Sequence, residues 1–124
     1  MNKIININIL QKDLFKKWLQ ITKPYHGLTK QQQDILSLFL YYHFKLKQDI
    51  TNNKILWKIL FDYDTKKEIK EELNITDQVL QNTLTQFRKK KIIIDNVITP
   101  SFIPELKKED KQFKIIFNFN LINE

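Results

Sequence analysis

The sequence predicts an α+β domain that is mainly α. Three observations carry that prediction. Apolar residues recur at helical spacing between Asp13 and Phe87. The stretch TKKEIKEELNITDQVLQNTLTQFRKKK, 65–91, reads as two short helices around a tight turn. Strand-like alternation appears only in the first ten residues and after Lys91. At 124 residues the chain suits one domain with a modest core, and no internal repeat or low-complexity linker divides it.

The elements follow in order. Ile5, Ile7 and Ile9 alternate with Asn6 and Asn8, a short strand with one apolar face. Such a strand needs a partner edge, in its own chain or in a neighbouring subunit. From Asp13, residues Leu14, Phe15, Trp18 and Leu19 form a helical stripe with Lys12, Lys16 and Lys17 outside it, and Pro24 and Gly27 end that helix. Thr29 and Gln32 make a capping box for a helix over 30–47. This helix carries Ile35, Leu38, Phe39, Tyr42 and Leu46 on one face and Leu36, Leu40 and Phe44 on the next. So wide an apolar arc implies burial on two sides, the second covered either by the N-terminal helix or by another subunit. The run Ile55 to Phe61 fits a short helix or a short strand.

In the 65–91 motif, Thr65 and Glu68 form a capping box, Ile69 and Leu73 give an apolar stripe, and Asn74 supplies the left-handed turn residue. Thr76 caps the second helix, with Asp77 against its dipole. Leu80, Leu84 and Phe87 form its buried face, and the basic run Arg88 to Lys91 closes it. Ile92, Ile93 and Ile94 then read as a strand and Asp95-Asn96 as a turn. A charged, proline-containing loop leads to a second strand with Phe113, Ile115, Phe117, Phe119 and Leu121 on one face. Strand, loop and strand over 92–121 make a wing. The layout is that of a winged helix-turn-helix: residues 28–124 form the core, and 1–27 add an N-terminal strand and a basic amphipathic helix.

Composition excludes several classes. There is no cysteine, so no disulfide framework and no thiol chemistry. No apolar run approaches the roughly 20 residues of a membrane span, and the first ten residues lack the pattern of a signal peptide. An intracellular setting is therefore expected, with no membrane partner. Alanine is absent and arginine occurs once, a bias that resembles AT-rich coding and weakens lysine richness as a binding signature. The net charge is +7, of which +5 lies in residues 1–30 and only +2 in 65–124. The loop from Glu105 to Lys111 is neutral. Because phosphate neutralisation supplies most of the affinity of ordinary DNA binders, a neutral wing argues against strong duplex binding.

No catalytic constellation is evident. His26 and His43 lie on different segments without metal-ligand spacing, and His43 sits among the aromatics of a buried-looking helix. Asp62 and Asp64 fit an Asp-rich turn better than a calcium loop, and a single glycine excludes a glycine-rich phosphate loop. The expectation is a protein that is not an enzyme and holds no metal or cofactor.

The outer face of the second helix carries Gln78, Gln81, Asn82, Thr85 and Gln86. In a major groove, Gln and Asn can pair with adenine, while Arg88, Lys89 and Lys90 would touch phosphates. Helix propensity and capping select the same residue types for a plain solvated face. On the assembly reading, Ile5, Ile7, Ile9, Leu36, Leu40 and Phe44 are the candidate subunit contacts.

The segments LTKQQQDILSLFLYYHFK, DTKKEIKEELNITDQVLQNTLTQFRKKKII and ITPSFIPEL…FKIIFNF carry a family resemblance. Residues 65–119 resemble winged helix-turn-helix proteins in general. Residues 28–121 resemble small winged-helix proteins encoded by crAss-like and related tailed phages. The usual pattern has a glycine after the basic run, where this chain has Lys91. The resemblance implies a phage origin and transfers no base-reading residues. The leading expectation is a structural virion component, a head-to-tail connector or neck ring subunit, made in the host cytoplasm and joined to identical subunits or other virion proteins. The alternative is a cytoplasmic transcriptional regulator that binds duplex DNA.

Overall fold

The computed structural model describes residues 3–123. It is mainly helical, with one small antiparallel sheet of two strands. The helices are α1 (Gln11–Ile21), α2 (Lys23–His26), α3 (Lys30–Asp49), α4 (Asn53–Leu60), α5 (Tyr63–Leu73) and α6 (Asp77–Lys89). Strands β1 (Ile93–Ile94) and β2 (Val97–Ile98) follow, then a 3-10 turn over Pro100–Phe102.

The long helix α3 is the centre of the core. Its capping box forms as expected: Thr29 Oγ1 accepts from the Gln32 amide at 3.2 Å, and Gln32 Oε1 accepts from the Thr29 amide at 3.0 Å. One side of α3 packs on α5 and α6, where Ile35 and Phe39 meet the cluster that includes Ile69, Leu80, Leu84 and Phe87. The adjacent side is covered by α1, through Phe15 and Leu19. Phe15 sits 5.5 Å from Phe44, ring to ring. Leu36, Leu40 and Phe44 are therefore buried within the chain, not offered to a second subunit. The wide apolar arc is explained by the chain's own N-terminal helix.

α1 begins at Gln11, earlier than expected, and ends at Ile21. Pro24 lies inside the short α2, which Gly27 closes with φ 65°, a conformation that favours glycine. His26 ties this corner together. The Leu28 amide donates to Nδ1 at 2.9 Å, which leaves the proton on Nε2 to donate to the Leu19 carbonyl at 2.7 Å. The run after Asn53 is a helix, capped by Asn52, whose side chain accepts from the Ile55 amide at 3.1 Å.

The expected Thr65 cap is corrected. Asp62 caps α5, accepting from the Thr65 amide at 2.9 Å, so the helix starts nearly one turn earlier. Thr65 turns its hydroxyl to the Ile59 carbonyl at 3.0 Å instead. Either residue type can satisfy a free amide, but the aspartate carboxylate also brings a negative charge to the helix dipole, which threonine does not.

Both helices that follow end in the same way. At the end of α5, the Ile75 amide reaches the Lys70 carbonyl (3.0 Å) and the Asn74 amide the Glu71 carbonyl (3.3 Å). At the end of α6, the Ile92 amide reaches Phe87 (2.9 Å) and the Lys91 amide reaches Arg88 (3.1 Å). These are paired Schellman closures, each with a left-handed residue in the linking position. Asn74 has φ 52° and Lys91 has φ 59°. Lys91 thus adopts a left-handed backbone of the kind that favours glycine.

The strand–loop–strand expected over 92–121 is replaced by a short hairpin. Ile93 pairs with Ile98 and Ile94 with Val97, around Asp95-Asn96. Both turn residues have positive φ (53° and 57°), as a two-residue type I′ hairpin requires. A second strand immediately after the turn closes a much shorter loop than one that begins at Phe113. Residues 113–123 are extended and join no ladder, and so are residues 3–10, where a strand was expected. Between them, the 99–113 segment folds back over α1: Trp18 Nε1 donates to the Phe102 carbonyl at 3.0 Å, and Trp18 meets Phe113 edge-on at 6.0 Å. Pro104 and Leu106 are buried there.

Candidate interaction surfaces

Two surfaces remain open: the outer face of α6 and the two extended segments at either end of the chain.

On α6 the buried stripe of Leu80, Thr83, Leu84 and Phe87 fixes which residues face outward. Gln78, Asn82, Thr85, Arg88, Lys89 and Lys90 are exposed, and Gln81 is half-buried. The Thr85 hydroxyl is occupied by the Gln81 carbonyl at 2.9 Å. Thr76 caps the helix, accepting from the Val79 amide at 3.2 Å. Asp77 stands fully exposed at the N-terminus of α6, and Lys70 Nζ reaches it at 3.1 Å. That hydrogen bond, and then the ammonium charge, hold the Asp77 carboxyl below its ordinary value. The hairpin tip presents another carboxylate, Asp95. Of these two carboxylates Asp77 is thus paired with Lys70 and Asp95 is exposed at the hairpin tip, while Arg88, Lys89 and Lys90 lie at the C-terminal end of α6.

The N-terminal lysines are partly committed. Lys12 lies 3.8 Å from Glu72 on α5, and Lys16 lies 3.4 Å from Asp34 on α3. These exposed pairs straddle a cleft of about 230 Å³ between α1, α3 and α5. Each is worth at most about 1 kcal/mol.

The histidines are structural. His43 stacks on Trp57, with ring centroids 4.6 Å apart, and burial pushes its pKa down to about 4. The His26 ring is also held below its ordinary value, chiefly by burial. Among the described residues no group of three or more His, Cys, Asp or Glu lies together, and no helix is long and apolar enough to cross a membrane.

The second surface was only half anticipated. Ile5, Ile7 and Ile9 are exposed, as a contact strand needs. Phe117, Phe119 and Leu121, expected under a wing, are exposed as well, and so are Ile4, Leu10, Ile116 and Ile122. Among the described residues, 3–9 and 111–123 make no backbone hydrogen bond. The alternation of the 113–121 stretch was the available signal, but it could not show that the hairpin would close without it. No family model, curated protein or solved structure matches the chain.

Proposed function

We propose that this protein is a structural assembly subunit in which α5, the Asn74 turn, α6 and the hairpin form a winged helix-turn-helix used as a packing module. The observation that carries the reading is the pair of extended apolar segments, each with unpaired backbone, flanking a well-packed body. Such edges are usually blunted in monomers by charge, proline or cover, because they recruit other strands. Here each segment bears a single charge, Lys3 in 3–10 and Lys114 in 113–123. The subunit acts by binding, not by catalysis, and joins identical copies. The resemblance of 28–121 to winged-helix proteins of tailed phages supplies the setting, a connector or neck ring of the virion. Mass spectrometry of purified particles from the genome that encodes the chain tests this: a fixed, stoichiometric copy number supports it, and absence from the particle removes it.

A second reading rests on the exposed polar face of α6. Gln78, Asn82 and Arg88 could meet a major groove, as in a transcriptional regulator. Asp95 at the hairpin tip opposes that approach, since it would bring a carboxylate to the phosphates, whereas Asp77 is already paired with Lys70.

A further inference from the structure

The two extended segments share one pattern. Ile5-Asn6-Ile7-Asn8-Ile9 and Phe117-Asn118-Phe119-Asn120-Leu121 are both apolar, Asn, apolar, Asn, apolar. In each, the apolar face starts on the body and runs off its edge. Exposure rises away from the body in the first segment, from 39% at Ile9 through 62% at Ile7 to 83% at Ile5. It rises likewise in the second, from half-buried Phe113 and Ile115 to 54% at Phe117, 85% at Phe119 and 92% at Leu121.

The exits of the two segments are neighbours. Gln11 Nε2 donates to the Lys108 carbonyl at 3.3 Å, and Trp18 touches Phe113. Even so, the segments of one chain do not pair with each other. Their unmet backbone groups and apolar faces are complementary in length and pattern, so the natural complement is the same pair of segments on another copy.

We infer that residues 3–10 of one copy pair as a β-strand with residues 113–123 of a neighbouring copy. This deepens the assembly reading and rests on it. Pairing unlike segments places Ile5, Ile7 and Ile9 against Phe117, Phe119 and Leu121. Aromatic and β-branched side chains are favoured partners across a ladder, and the Asn residues fall together on the opposite face. An isolated two-stranded ribbon is marginal, but this one is continuous with Phe113, which is already packed on the body. Contact between unlike segments is heterologous, so it propagates from copy to copy and closes as a ring where the rotation allows.

The absence of native cysteine makes the test direct. Full-length chains carrying Ile5→Cys, Ile7→Cys or Ile9→Cys are mixed with chains carrying Phe117→Cys, Phe119→Cys or Leu121→Cys, and oxidised at the concentration where sedimentation shows an oligomer. The expected result is a disulfide-linked dimer of unlike chains, at least several-fold more abundant than either like pair, for one register of positions. Dominant like pairs overturn the pairing, and so does a double variant that closes within one chain at high dilution. If the chain sediments as an oligomer without unlike adducts, the pairing falls and the assembly reading stands. If it sediments only as a monomer, both fall.

Discussion

Lowering the pH from 7 to 5 should destabilise the fold through His43. The imidazole stacks on Trp57, and burial holds its pKa at about 4, with the Lys47 charge adding to the effect. The unfolded ring has its ordinary value near 6.5. Because the folded pKa is the lower one, the unfolded chain binds the proton first as the pH falls. The contribution is therefore complete above about 6.5 and drains away between there and about 4. At about 1.4 kcal/mol per pH unit, the interval from 6.5 to 5 is worth at most about 2 kcal/mol, and partial exposure of the ring reduces this to about 1–2. His26, also held below its ordinary value, acts in the same direction. Urea titrations at pH 7 and 5 measure the loss. The His43→Phe chain keeps an aromatic ring against Trp57 and has no proton to take up, so its stability should fall by about 1 kcal/mol less over the same range. Equal pH sensitivity in the two chains would refute the assignment, as would an NMR titration of the His43 ring with a midpoint near 6.5.

Three further outcomes are expected. Leu84→Ala removes a fully buried side chain packed with Ile69, Phe39 and Phe87 and should cost about 2–5 kcal/mol in urea unfolding; a loss below about half a kcal/mol would mean that the faces of α6 are misassigned. Lys91→Gly relieves a left-handed backbone that costs a non-glycine residue about 1–2 kcal/mol, set against about 0.5–1 for the looser unfolded chain, so it should stabilise by up to about 1.5 kcal/mol, whereas Lys91→Val should destabilise. Removing residues 1–10 should leave thermal unfolding almost unchanged, because 3–10 bury nothing in the core, while reducing the sedimentation coefficient to that of a monomer.

Much of the helical framework was legible. Thr29 with Gln32, Thr76 before Asp77 and the left-handed Asn74 are local signals, and the structure places each where its chemistry puts it. The apolar stripe Leu80, Leu84, Phe87 is decided by the helical period alone. What could not be read locally was competition. Asp62 and Thr65 both offer a cap; in the fold Asp62 takes it, while the Thr65 hydroxyl goes to the Ile59 carbonyl at the end of α4. Ile92 to Ile94 could pair with Val97-Ile98 or with the longer alternating stretch after Phe113. The positive φ of Asp95 and Asn96 selects the nearer strand. The same choice strands the 113–123 segment and creates the surface on which the proposed assembly rests. Leu36, Leu40 and Phe44 illustrate the opposite limit: the width of an apolar arc shows that it is covered, not by which partner.

The proposed assembly role puts the joining of copies on the terminal segments and requires that α6 does not read bases. A salt titration of duplex binding tests it most directly, comparing the native chain with Gln81→Ala/Asn82→Ala and with a chain in which Lys3, Lys12, Lys16 and Lys17 are neutralised. The expected result is weak binding, equal on all sequences, untouched by the α6 changes and lost with the lysines, the salt slope falling by roughly one for each phosphate contact removed. Sequence-selective binding that survives loss of the lysines and drops by about 1–3 kcal/mol on changing Gln81 or Asn82 would contradict it.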